Sequence, residues 1–176
     1  KGVTIGINIC EDIWYPGGPM MLQTLLGNAE LITNISASPY HVGKRKTRMQ
    51  MLATRAQDYG VIIAYNNMVG GQDELVFDGG SVVIDQDGDI IAQGKLFEED
   101  LIIADLDVEA VFRKRLRDPR RRQEKLNYLA QEPKLLKIDL PQGEIYLPKP
   151  PIIHEEPQAF SSEVEIYKAL ELVTRD

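Results

Sequence analysis

A mixed α/β fold is what this 176-residue sequence predicts, and three features predict it. Between Val3 and Tyr65, short apolar and β-branched runs alternate with stretches of helical period, the pattern of parallel strands joined by helical crossovers. Past Gly70-Gly71, strand-like runs follow one another without helices, and Asp87-Gly88 supplies a hairpin turn between two of them, so this part should be antiparallel. A hydrophobic content of 43% suffices for the core of one ordinary domain, with room for an appendage. A mixed sheet with helices on one side fits the whole.

Each element has its own justification. Val3, Ile5, Ile7 and Ile9 alternate with smaller or polar residues, which gives a first strand, residues 3–9, one apolar face to bury. Cys10 ends it, and the Pro16-Gly17-Gly18-Pro19 break stops the pattern. A helix follows from Pro19 to Asn28, with Met20, Met21, Leu22, Leu25 and Leu26 on its apolar face. Glu30 to Ile35 is a second strand. Met49, Leu52, Ala53, Ala56 and Tyr59 recur at helical spacing within a longer helix, His41 to Tyr59, which Gly60 closes as a C-terminal cap. Val61 to Tyr65 is a third, buried strand.

Gln72 to Ser81 reads as an ordered loop and turn, ahead of strands at Ser81–Asp85, Ile90–Gln93 and Leu101–Asp107. A helix from Val108 to Arg117 ends before Asp118-Pro119. The Arg- and Lys-rich region from Arg113 to Lys125 reads as a solvated helix face and loop. Pro133, Pro141, Pro148, Pro150, Pro151 and Pro157 punctuate a stretch that reads as an extended linker. Ser162 and Glu165 form a capping-box pattern that starts a last helix. The expected organisation is thus a domain portion over residues 1–117, a linker over 118–160, and the start of a helix over 161–176. Because the chain begins at Lys1, directly on a strand, further sequence is expected upstream.

Composition narrows the function. A net charge of −7 argues against a phosphate-tracking surface for nucleic acid, which needs an excess of Lys and Arg. A single cysteine makes no internal disulfide, no apolar run approaches membrane-spanning length, and no signal peptide is evident. Small-molecule chemistry in the cytoplasm is the expectation, with no membrane partner.

Cys10 carries that chemistry if any residue does. Placed between a strand and a turn, its thiol sits at the carboxyl edge of the sheet, where α/β folds bind ligands; taken by itself, a lone cysteine is more often a buried structural thiol. A reactive thiolate needs a base or positive charge nearby. His41 and His154 are the only histidines. A Cys10–His41 dyad is sterically conceivable, but a histidine at a helix start is more often a surface residue, and no third group is evident to orient its ring. Lys44, Arg45 and Lys46 oppose the dipole at the start of the long helix, a small cost that a bound carboxylate would offset. With the hydroxyls of Ser36 and Ser38, Lys44 could hold the charged end of an amino-acid-like substrate near Cys10; local turn and cap bonding is the commoner role of such serines. Asp73, Glu74 and Asp78 lack the spacing of a calcium loop and have no histidine cluster beside them, so no metal site is expected. No phosphate-binding glycine loop is present.

Gly6-Ile7-Asn8-Ile9-Cys10-Glu11-Asp12, followed by Pro16, resembles the nucleophile segment of the nitrilase superfamily of carbon-nitrogen hydrolases. More narrowly, Asn34-Ile35-Ser36-Ala37-Ser38-Pro39-Tyr40-His41-Val42-Gly43-Lys44 and Gly70-Gly71-Gln72-Asp73-Glu74-Leu75-Val76-Phe77-Asp78-Gly79-Gly80-Ser81 are similar to segments of the glutaminase domains of glutamine-dependent NAD+ synthetases. The likeness covers most of residues 1–117, and Glu165-Ile166-Tyr167-Lys168-Ala169-Leu170 resembles the helix leading into the synthetase domain of those enzymes.

The resemblance implies a four-layer α-β-β-α sandwich, of which this chain is the carboxyl-terminal part, and a Glu-Lys-Cys triad with Cys10 as nucleophile. The family's base glutamate and catalytic lysine both precede the cysteine segment, so neither is assigned here and the isolated chain should be inactive. Ser38 and Lys44 match positions associated with glutamine binding. Glu11 is implied to lie beside the substrate, its backbone N–H helping to form an oxyanion hole. ATP, Mg2+ and nicotinate adenine dinucleotide would belong to a synthetase domain downstream, so no cofactor is expected in this chain. The expected partners are glutamine, that synthetase domain and further copies of the chain in a homo-oligomer. Two other readings stand beside this one: another nitrilase-type amidase or carbamoylase, and a noncatalytic fragment that associates through exposed apolar surface.

Overall fold

The computed structural model describes residues 2–129, 134–141, 143, 152 and 159–175. In chain order the elements are β1 (Ile5–Ile9), a single 3-10 turn (Cys10–Ile13), α1 (Gly18–Leu25), β2 (Leu31–Ser36), α2 (Lys44–Tyr59), β3 (Ile62–Asn67), β4 (Val69–Gln72), β5 (Leu75–Asp78), β6 (Val82–Ile84), β7 (Ile90–Gln93), α3 (Val108–Leu116), α4 (Arg120–Leu129) and α5 (Ser162–Arg175). The predicted mixed sheet is present. Its order is β1-β2-β3-β6-β7, parallel across β1, β2 and β3 and antiparallel from β3 through β7. The carboxyl ends of the three parallel strands therefore share one edge.

Helices α1 and α2 cover one face of this sheet. Met20 of α1 and Leu52 and Ala56 of α2 meet Ile32, Ile63, Tyr65, Val82 and Ile84 of the strands in one buried cluster. Burying an aliphatic side chain of this size contributes about 1.5–3 kcal/mol, so this layer contact is the main stabilising surface. Gly60 caps α2 as expected, in a left-handed conformation with its N–H shared between the Ala56 and Gln57 carbonyls. The Asp-Gly turn also forms: Asp85 Oδ1 accepts from the N–H groups of Asp87 and Asp89, and Gly88 takes a φ of +88°.

Five expectations need correction. First, the apolar face of β1 is not buried: Ile5, Ile7 and Ile9 are 53, 65 and 63% exposed, and it is Gly6 and Asn8 that turn toward α1. Alternation fixes which face is apolar, not which face is covered, and β1 lies at the sheet edge. Second, the segment read as loop and turn is a hairpin, β4 with β5, in which Gly70 and Gly71 pair with Phe77 and Val76. Two adjacent glycines suggested a break, yet here they are strand residues. Third, Leu101–Asp107 forms no strand and joins no ladder among the described residues.

Fourth, the basic stretch is not simply solvated. Arg115 donates to the carbonyls of Gly60 (2.8 Å) and Ala29, and Arg121 to that of Thr24 in the last turn of α1. These guanidinium groups satisfy carbonyls that helix ends and turns leave without partners. Burial pulls Arg115 down to about 10. The second of the two helices carrying them, α4, occupies ground assigned to the linker; the prolines at 133, 148, 150, 151 and 157 lie outside the described residues. Fifth, the cap of α5 is Ser161, one residue earlier than expected: its Oγ accepts from the Val164 N–H at 3.4 Å. Ala169 and Leu172 of α5 then pack with Leu96 and Phe97, against Tyr40, Val69 and Val76.

Candidate active site

Cys10 leaves β1 with a φ of +42°, in the left-handed region that non-glycine residues seldom adopt. The residue before it, Ile9, is still extended, and its N–H is held by Asp12 Oδ2 at 3.0 Å. A buried amide chain fixes the strand end from below. Gln23 Oε1 accepts from Asn8 Nδ2 at 3.3 Å, and Asn34 Nδ2 donates to Asn8 Oδ1 at 2.7 Å and to the Cys10 carbonyl at 3.3 Å. The register Asn8↔Asn34 between β1 and β2 puts these amides side by side. Together they hold the cysteine on a sharp strand-to-turn corner, with its side chain partly exposed.

The next strand end carries Ser36 and Ser38, both buried. Tyr65, from β3, donates its hydroxyl hydrogen to Ser36 Oγ at 2.9 Å. Beyond them the chain is pinned to the hairpin: Pro39 bridges to Phe77, and the Tyr40 N–H donates to the Val76 carbonyl at 2.6 Å. Tyr40 meets Phe97 edge to face, with ring centroids 5.3 Å apart.

Lys44 opens α2. Its Nζ donates to the Pro39 carbonyl at 2.7 Å and lies 5.8 Å from the centre of the Trp14 ring, a cation–π arrangement. Burial and the neighbouring Arg48 pull its ammonium below the ordinary lysine range, while negative charge at Asp78, Glu11 and Cys10 opposes the shift. A cation therefore stands within electrostatic reach of both the thiol and Glu11. Glu11 itself is exposed on the 3-10 turn. The structure thus brings Cys10, Glu11, Ser38 and Lys44 to one edge of the sheet. His41 does not join them; it is exposed, with Nδ1 3.1 Å from the Val42 carbonyl oxygen. His154 lies outside the described residues.

Three residues that sequence reading did not assign underlie this edge. Arg48, one turn after Lys44 on α2, is completely buried and grips both oxygens of Asp78, Nη1 to Oδ1 at 3.0 Å and Nη2 to Oδ2 at 2.7 Å. Asn67, at the end of β3, donates Nδ2 to Asp78 Oδ1 (3.1 Å) and to the Gly79 carbonyl (3.0 Å). The one available signal was an arginine in the buried stripe Arg48, Leu52, Ala56 of a helix, since arginine is seldom buried unpaired. Asp78, weighed above as a metal ligand, is occupied by these donors instead.

A carbon-nitrogen hydrolase family model matches residues 1–115. The chain belongs to the carbon-nitrogen hydrolase family. This carbon-nitrogen hydrolase segment is 55% identical over 120 residues, 68% of the chain, to a glutamine-dependent NAD(+) synthetase of Thermotoga maritima, and covers 21% of that protein. Over its whole length it is 44% identical to the glutamine-dependent NAD(+) synthetase of Aquifex aeolicus, of which it covers 30%. Among solved structures, the glutamine-dependent NAD+ synthetase of Acinetobacter baumannii in complex with ADP aligns with 98% of the chain at a TM-score of 0.66 and 33% identity, and 25% of that protein is covered. The chain thus spans between a fifth and a third of these relatives. It carries the mixed α/β fold of a carbon-nitrogen hydrolase, its described residues forming a five-stranded sheet, a two-stranded hairpin and a helix layer over one face of the larger sheet.

Proposed function

We propose that this chain supplies the nucleophile and the glutamine-holding residues of a glutamine-dependent NAD+ synthetase. The observation that carries the reading is the left-handed Cys10 corner at the carboxyl edge of the sheet, with Lys44 and Glu11 beside it, in a chain so similar to proteins of that name. The thiolate of Cys10 attacks the side-chain amide carbon of glutamine, and the Glu11 backbone N–H helps to hold the oxyanion. The carbon–nitrogen bond then breaks, and the protonated nitrogen departs as ammonia. Water cleaves the γ-glutamyl thioester, releasing glutamate and returning the thiol. Ser38 and Lys44 bind the substrate, Lys44 through its charge. The base glutamate and catalytic lysine come from sequence preceding the cysteine segment. The ammonia is consumed in the ATP- and Mg2+-dependent amidation of nicotinate adenine dinucleotide by the synthetase domain, the partner to which α5 leads.

Trapping tests this directly. In the native polypeptide, brief exposure to glutamine should leave a glutamyl adduct on the Cys10 peptide by mass spectrometry, and Cys10→Ala should abolish glutamate release. Undiminished release by Cys10→Ala would overturn the proposal, and so would equal turnover of simple aliphatic amides, which points instead to a general amidase. The isolated 176-residue chain should release no glutamate.

A further inference from the structure

We propose that Asn67 is a positioning residue of the glutamine site, its carboxamide locked by Asp78 so that it fixes the backbone of Ser38; this rests on the reading of Cys10 and Ser38 above. The argument is one of donors and acceptors. Arg48 is wholly buried and its two terminal nitrogens hold both oxygens of Asp78, so that carboxylate has a single orientation. Asp78 Oδ1 and the Gly79 carbonyl both accept from Asn67 Nδ2. Turning the amide over would set its oxygen against a carboxylate and a carbonyl, which is excluded in a buried site. Its Oδ1 must then face the other way, and it accepts from the Ser38 N–H at 3.0 Å. The Asn67 backbone is fixed separately, its N–H donating to Ser81 Oγ at 2.9 Å.

A buried ion pair is a weak source of stability because both charges lose water. Its value here is geometric. The order of dependence runs from Arg48 on α2 to Asp78 on β5, to Asn67 on β3, to Ser38 in the loop after β2. Arg48 also sits one helical turn from Lys44, so the same buried anchor sets the start of α2. Removing the Asn67 carboxamide leaves the buried Ser38 N–H without its acceptor and loosens the chain at Ser38, although Pro39 and Tyr40 stay on the hairpin, while Cys10 keeps its own supports from Asn8, Asn34 and Asp12. Recognition of glutamine should therefore suffer while the intrinsic reactivity of the thiol does not.

Two electrophiles separate these effects in the native polypeptide: iodoacetamide, which reports the thiol alone, and a glutamine-shaped chloromethyl ketone, which must also seat in the pocket. In Asn67→Ala we expect alkylation of Cys10 by iodoacetamide to stay within about twofold of the unsubstituted protein. Inactivation by the chloromethyl ketone should slow about tenfold, and KM for glutamine should rise about tenfold with kcat within about threefold. Asn67→Ser is read in the same way should the alanine variant not fold. Thr54→Ala, which removes an exposed hydroxyl bonded only within α2 and leaves the carboxamide and its partners in place, should keep KM unchanged. Wild-type ratios in a folded Asn67 variant would overturn the inference, as would equal slowing with both reagents or an equal KM rise in Thr54→Ala. If the unsubstituted protein shows no preference for the glutamine-shaped reagent, the reading of the site falls, and the inference with it.

Discussion

Cys10 holds a backbone conformation that costs a non-glycine residue about 1–2 kcal/mol. The surrounding amides offset this locally. Asn34 is the centre of that support, since one NH2 group serves both the Asn8 side chain and the Cys10 carbonyl. Asn34→Ala should lower stability by about 2 kcal/mol, because it leaves the buried Asn8 Oδ1 and the partly buried Cys10 carbonyl unmet; urea unfolding followed by circular dichroism measures it. At this scale the placement of the candidate residues was legible. Cys10, Glu11, Ser38 and Lys44 were readable because turn signals and short motifs place them at strand ends. Arg48, Asn67 and Asp78 were not, because their partnership spans 30 residues and no local spacing encodes it.

The elements are joined by side chains that run from one to the next. Gln86 and Lys114 both bind the Asp87 carboxylate, at 2.7 and 3.0 Å, so the β6–β7 turn is fastened to α3. The hydrogen bond from Gln86, and then that from Lys114, hold the Asp87 carboxyl below its usual range. Its native form binds fewer protons than the unfolded chain does. The stabilisation is therefore present above pH 3.8 and is lost as pH falls through the lower native value. Asp87 is largely exposed, so the effect is modest. Asp87→Asn should melt slightly below the unsubstituted chain at pH 6, and the gap should close on acidification; calorimetric melting temperatures at a series of pH values check this. A gap that widened in acid would contradict it. Helix α4 and the β4–β5 hairpin were illegible for related reasons: an arginine run and a glycine pair carry local signals that tertiary contacts override.

On the scale of the molecule, the sheet is covered by helices on one face, while Ile5, Ile7, Ile9 and Ile35 are all more than half exposed on the strands. Such a contiguous apolar strip drives association. The isolated chain should sediment as dimers or larger species, and Ile7→Lys with Ile35→Lys should shift it toward monomer. A sharp monomer peak for the unsubstituted chain would count against this. Among the described residues no helix is long and apolar enough to cross a membrane. The mixed topology was legible, since periodicity reports parallel and antiparallel connections. The bare face was not, because whether an apolar strip is covered depends on what packs against it.

Trp14 is the only tryptophan in the chain, and it lies beneath the Lys44 ammonium. The protein therefore carries a built-in optical reporter. On the proposed reading, a substrate carboxylate that drew Lys44 off the indole face would change the emission of one fluorophore, with no label and no reaction at the thiol, so binding would become visible before any bond is made or broken.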